Sequence, residues 1–233
     1  MAAVRSVSNT TYASRTNTTI TAPASIADDD ILLLGILTVN DPDAVDTTPP
    51  TGFTLLTNFP IDVTDGGGLN MEFRVYWKTA SGESGNYTVT HASSSSQGWM
   101  VCVQDADTIS VTPTVNNGTA ASTTALSITT TVNDSLVILM AFDWGDSANN
   151  LTGPTGTTPT FVEKIDVAPL IYVTAGVLAT AGATDNKTMA NNSSTGSPWG
   201  ATLIVVQPAA AAPGSTPVTV PGAVLNVPMG MGI

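Results

Sequence analysis

Two strongly apolar runs, each opened by an aspartate, constrain this chain more than any other feature: DILLLGIL from Asp30 to Leu37 and DSLVILMAF from Asp134 to Phe142. Downstream of each run the same tripeptide stands at the same offset, since Pro50, Thr51 and Gly52 reappear as Pro154, Thr155 and Gly156. Further along the chain, FRVYWKTASGESGNYTVT (Phe73 to Thr90) is echoed by VTAGVLATAGATDNKTMAN (Val173 to Asn191), with Thr79-Ala80 against Thr180-Ala181 and Thr88 against Thr188. Each copy then closes on a Ser/Asn-rich turn, a tryptophan and an apolar run, around Trp99 and Trp199. The chain reads as a duplication in which Trp99 and Trp199 are equivalent.

A two-unit repeat with a period of about one hundred residues is too long for a solenoid, whose units run to roughly 20–50 residues. It suits two half-sandwiches that pack face to face around one core. The expected fold is therefore all-β: a jelly-roll-like or doubled Greek-key β-sandwich with two pseudo-repeated halves, about 16–109 and 120–207, forming a single domain over 16–207. Composition agrees. β-Branched residues suit strands, Gly, Asn and Pro suit turns, and no sustained 3.6-residue apolar period marks an amphipathic helix. At 233 residues one domain buries about 70% of the surface its unfolded chain exposes, so neither disulfide nor metal is needed as a staple. The single cysteine, Cys102 in WMVCV, reads as a small buried hydrophobe.

Residues 1–15 are polar and aperiodic, the pattern of a loose N-terminal arm. TNTTITA (Thr16 to Ala22) alternates like a first edge strand ended by Pro23, and Asp28 to Asp30 make a turn. The continuous apolar character of the Asp30 run says that both its faces are covered. In the next strand Phe73, Val75 and Trp77 share a core face, with Arg74, Tyr76 and Lys78 opposite. SGESGN then suits a hairpin into Tyr87 to Thr90. Trp99, Val101 and Val103 point to the same core, and DADTISVTPTVNNGTAAS crosses to the second copy.

The net charge of −12 with six Lys and Arg lacks the clustered positive charge that phosphate binding requires, which sets nucleic acid aside. The longest apolar runs are about eight residues, short of the roughly 20 a membrane-spanning helix needs. The amino terminus has no apolar stretch of secretory-signal length, so synthesis in a cytoplasm is expected. GxSxG, HExxH, P-loop and dinucleotide fingerprints do not occur. One histidine, His91 at a strand end, reads as a solvated surface residue, so no catalytic residue and no cofactor is assigned and the chain is read as a non-enzyme. Asp41, Asp43 and Asp46, the densest carboxylate group, are the calcium candidate. They lack the glycine and distal glutamate of a calcium loop. Trp144, in FDWGDSANN, is the best exposed candidate for sugar contact, with Trp77, Tyr76 and Tyr172 as further aromatics.

After Gln207 the character changes. Residues 208–233 carry five prolines and no charged side chain, and present Val218, Val220, Val224, Leu225, Val227, Met229, Met231 and Ile233. That composition predicts an extended C-terminal arm that lies on another surface.

DILLLGIL, then PPTGFTLL, then EFRVYWKTASGESGNYTVTHASSSSQGWMVCVQ together resemble a domain of bacteriophage structural and bacterial surface proteins. Its pattern is an aspartate-led Leu-rich strand, a P-x-G-W-T-L-L turn, a V-Y-Y-K-V-A strand and an S-G-E-P-x-S-Y-T-F-T segment. Phe53 stands where that family carries Trp, and the likeness covers about Thr16 to Ile109. The resemblance implies a β-sandwich in a phage particle, with no catalytic residues. The leading expectation is a virion structural protein, a capsid decoration protein that docks through terminal arms onto other copies of itself and onto major capsid or tail proteins. A tail or baseplate appendage and a carbohydrate-binding sandwich module are the alternatives.

Overall fold

A computed structural model of the protein describes residues 1–39, 47–64, 68–120, 122–144, 151, 153–154, 158–167, 171–190 and 197–210. Among the described residues every regular element is a strand, and all pairings between strands are antiparallel. The first sheet contains β1 (Ala3–Asn9), β2 (Ala13–Ile20), β3 (Ile31–Val39), β4 (Thr54–Leu55), β5 (Ile61–Thr64), β6 (Asn70–Thr79) and β7 (Tyr87–Gln104). Its order is β1-β7-β3-β6-β4, with β2 also on β7 and β5 also on β6. The second sheet contains β8 (Ala106–Gly118), β10 (Ser135–Asp143), β11 (Val162–Val167), β12 (Ile171–Leu178) and β14 (Trp199–Pro208), in the order β11-β12-β10-β14-β8. A ribbon of β9 (Ser122–Ala125) and β13 (Lys187–Ala190) completes the set.

The two apolar runs are β3 and β10, nine residues each and buried throughout. Alternation explains how a wholly apolar strand is accommodated. Ile31, Leu33, Leu37 and Val39 of β3 meet Leu136, Ile138, Met140 and Phe142 of β10 in the core between the sheets. The opposite face of β3 (Leu32, Leu34, Ile36) is covered by Ile20, Tyr87 and Val89, and that of β10 (Val137, Leu139, Ala141) by Ala125 and Met189. Each sheet thus carries a second, outer core beneath a two-stranded cover. The protein is a β-sandwich of two halves with matching strand order: β3 lies between β7 and β6, as β10 lies between β14 and β12.

Each cover is crossed by a corresponding threonine pair. Thr19 and Thr88 hydroxyls lie 2.9 Å apart across β2 and β7, and Thr124 and Thr188 lie 3.3 Å apart across β9 and β13. The repeat is therefore structural, but its register differs from the ungapped alignment. Inward residues are odd-numbered in β3 and even-numbered in β10, so the even offset that pairs Asp30 with Asp134 would turn one strand inside out. Matching Asp29 to Asp134 restores the faces, and both residues are left-handed, with φ of 69° and 57°. Trp99 and Trp199 are consequently not equivalent. Trp99 belongs to the inter-sheet core, whereas in β14 that core takes Ile204 and Val206, so odd-numbered Trp199 lies on the other face.

Three further expectations are corrected. The residues expected as a loose arm form β1 and the start of β2, because Val4 and Val7 pack on the core while the strand pairs with Gln104 to Trp99 of β7. The chain from β6 to β7 is not a hairpin, because β3 is inserted between them and hydrogen-bonds to both. The crossover after Gln104 is itself a strand, β8, which pairs with β14 from Ala106 to Gly118. The β14 strand runs to Pro208, and the Ala209 N–H still donates to the Asp105 carbonyl at 2.8 Å.

Candidate functional site

Along β6 the inward residues are Met71, Phe73, Val75 and Trp77; the first three are wholly buried and the fourth only half-buried. The cause is topological. Beyond β6, among the described residues, the first sheet continues only as β4 and β5, and β4 supplies two paired residues, Thr54 opposite Trp77 and Leu55 opposite Tyr76. The facing strand is β8, the edge of the second sheet. Between these edges lies a hollow of about 290 Å³, walled by Thr54 to Thr57 on one side and Ile109 to Pro113 on the other, with Trp77 in its lining. Trp77 also lines a second hollow of about 300 Å³ with Gly52, Thr54, Lys78, Thr79, Ser81 and Glu83.

Ion-pair, hydrogen-bond and ring contacts join the residues behind the second hollow. Lys78 Nζ lies 2.5 Å from Glu83 Oε1, over the Phe53 ring at 5.3 Å and the Tyr87 ring at 6.0 Å. The Tyr87 hydroxyl donates to Glu83 Oε2 at 2.8 Å, and the Ser81 amide donates to Glu83 Oε1 at 3.2 Å. Burial alone would raise the Glu83 pKa, but the bonds from Lys78, Tyr87 and Ser81 outweigh it and hold the carboxyl below its usual range. Burial first, and then the bond to Glu83, push the Tyr87 phenol well up. Phe53 packs edge-on against Tyr87, with centroids 5.5 Å apart, after a turn in which Gly52 adopts φ +85°. The result is an ionised carboxylate whose two oxygens are taken up by Lys78, Ser81 and Tyr87, with the Lys78 and Glu83 side chains only 16% and 9% exposed.

Other polar groups serve the interior. Asp30 accepts from Arg5 Nε at 2.8 Å and Nη2 at 3.1 Å, from the Ala27 amide at 2.9 Å, and from Cys102 Sγ at 3.2 Å. Burial would raise the Asp30 pKa; the Arg5, Ala27 and Cys102 bonds together lower it below the usual value. Burial, the Asp30 hydrogen bond and the Asp30 charge push the Cys102 thiol up to about 12. Lys187 is fully buried, donates to the Thr158 carbonyl at 2.7 Å and lies 5.8 Å from the centre of the Phe161 ring. Burial lowers its pKa.

His91 is a correction. It is buried within β7 rather than solvated at a strand end, because β2 pairs alongside and encloses it. Its Nδ1 lies 2.7 Å from the Ala92 carbonyl oxygen, and its Nε2 lies 2.9 Å from the Thr18 hydroxyl, which is itself 2.7 Å from Ser96 Oγ. With Nδ1–H donating to the carbonyl, Nε2 accepts from Thr18 and the chain of hydroxyls is satisfied.

Of the aromatics proposed for sugar contact, Tyr76 and Tyr172 are buried in the outer cores at 2% exposure each. Trp144 is half-buried, packed on the central core and edge-to-face with Tyr12 at 6.3 Å. Trp77, whose alternation with Phe73 and Val75 marks it as core, lines both of the hollows at this edge. The signal that separates it from its neighbours is the shortness of β4, which depends on pairing. Asp41, Asp43 and Asp46 lie outside the described residues, as do Val218, Val220, Val224, Leu225, Val227, Met229, Met231 and Ile233. Among the described residues no group of three or more His, Cys, Asp or Glu side chains could hold a metal ion, and no helix is long and apolar enough to cross a membrane. Comparison with protein-family models, with curated proteins and with solved structures returns no match.

Proposed function

We propose that this protein is a non-enzymatic bacteriophage virion structural protein, a capsid decoration protein that docks through its proline-rich C-terminal segment onto other copies of itself and onto the underlying capsid. The observation that carries the reading is the contrast between the sandwich and the segment C-terminal to it. Sheet pairing runs to Pro208, and residues 208–233 then bring five prolines and eight large apolar side chains without one charge. Apolar side chains left in water forgo roughly 25 cal/mol for each Å² not buried, so such a segment favours a surface to lie on. Prolines restrict the free chain and lower the entropy lost on docking. Fully extended, this segment reaches on the order of 80 Å. The aspartate-led strands and the PPTGFTLL and SGESGNYTVT segments support a phage particle through their resemblance to that family. A tail or baseplate position uses the same segment on a different surface.

The N-terminal residues drop out of the docking role, since β1 is part of the sheet. The truncation that tests the proposal is also set by the fold: cutting after Ala210 spares the Ala209–Asp105 bond. The truncated protein is expected to melt within a few degrees of the full chain and to lose self-association and binding to capsids that lack their decoration. Unchanged binding refutes the proposal.

A further inference from the structure

We infer that the open edge around Trp77 is a binding site for a neutral oligosaccharide. A pyranose presents an apolar C–H face and a rim of hydroxyls, and a site for it needs an aromatic surface flanked by convergent donors and acceptors. Trp77 provides the aromatic surface, half-buried and shared by the two hollows. On one side Ser110 and Thr112 project from β8 opposite Thr54 and Thr57, all four exposed. A hydroxyl both donates and accepts, which matches the two-way hydrogen bonding of a sugar hydroxyl. On the other side the exposed Thr79 and Ser81 line the second hollow beside the paired Lys78 and Glu83.

Geometry and charge narrow the ligand. Both hollows are lined by Trp77 and Thr54, so an occupant that spans both across the indole is a chain of several rings rather than one sugar. Each is near the lower end of the roughly 300–1,000 Å³ range of small-ligand sites. The net charge of −12 opposes acidic glycans, and the cation in the lining, Lys78, is neutralised by Glu83. A proline-rich peptide also binds aromatic grooves, but it carries few donors to meet the hydroxyls on both walls. At the opposite edge of the sandwich a hollow of about 230 Å³ is lined by Ala3, Val4, Leu136, Val162, Ala175 and Val177 among others. Its described lining holds no aromatic ring on which a sugar could stack. The Trp77 site makes no use of residues 208–233, so its test is separate from that of the docking segment.

The test titrates the full chain with cellohexaose, maltohexaose, mannohexaose and chitohexaose, monitored by calorimetry and by amide chemical shifts. One of the four is expected to bind and to shift Trp77, Thr54 and Ser110. Trp77→Ala should weaken it by about tenfold or more. Because Trp77 also touches the core, a second variant, Ser110→Arg, fills the hollow from an exposed position; it should weaken binding to the same degree with an unchanged melting temperature. Absence of binding by all four at millimolar concentration overturns the inference, as does binding that both variants leave intact. A synthetic peptide of residues 211–233 that shifts these residues where no sugar does overturns it too, and assigns the edge to the chain's own proline-rich segment.

Discussion

The indole of Trp99 lies flat over Gly35, its cross-strand partner, so closely that a β-carbon on Gly35 would sit 2.2 Å from Trp99 Cε2 and Cζ2. The glycine in DILLLGIL is thus the space that admits the largest side chain of the central core. Gly35→Ala is expected to cost about 1–3 kcal/mol or more through overpacking. Combined with Trp99→Leu, which vacates that space, the two changes should be markedly less than additive in denaturant unfolding. Additive losses would show that the close approach has no energetic consequence.

Trp99 is also one face of a stack that joins the sheets. Phe73 lies parallel to it, with centroids 5.1 Å apart and planes at 9°, and meets Phe142 of the facing sheet at 5.3 Å. Phe73→Ala should cost about 3–5 kcal/mol, the range for a fully buried aromatic. Phe53→Ala, in the outer core at 7% exposure, should cost less. Equal losses in urea titrations would remove the central role given to Phe73.

Acid should destabilise the fold through two carboxylates. Asp30 and Glu83 are held below their ordinary values of 3.8 and 4.5. A group whose pKa is depressed by folding contributes stability that is fully present above the unfolded value and is lost as pH falls through that value towards the folded one. The melting temperature should therefore be level from neutrality down to about pH 5 and fall below about pH 4.5. Glu83→Gln should be less stable at neutral pH and show a shallower acid limb. A limb as steep as that of the unmodified protein would assign the acid sensitivity to other groups.

Cys102 should be inert in the folded protein. It is fully buried, and its thiol is pushed up to about 12, so the thiolate is scarce at about pH 8. A chromogenic disulfide reagent should label it at the rate of global unfolding and promptly in guanidinium. Prompt labelling of the native protein would mean that β3 and β7 open locally.

The amino-acid sequence by itself determined which strands are central and which side chains share a face, because period-two alternation is a local property of the backbone. It determined that β3 is covered on both sides, that Phe73, Val75, Trp99, Val101 and Val103 meet in one core, and that Thr88 and Thr188 correspond. Only the tertiary structure decided the register of the repeat, since an offset wrong by one residue still aligns Asp with Asp and Leu with Leu while reversing every face. Strand neighbours are likewise non-local. The insertion of β3 between β6 and β7 leaves no mark in SGESGN, and β1 becomes a strand because β7 offers it a partner, not because VRSVSN is strongly patterned. For the same reason Trp77 was legible as a core residue and as one of four aromatics available to a sugar, but not as the one at the edge of the sandwich. Its half-exposure depends on β4 stopping after two paired residues opposite the edge of the other sheet, and His91 is buried because β2 lies beside it.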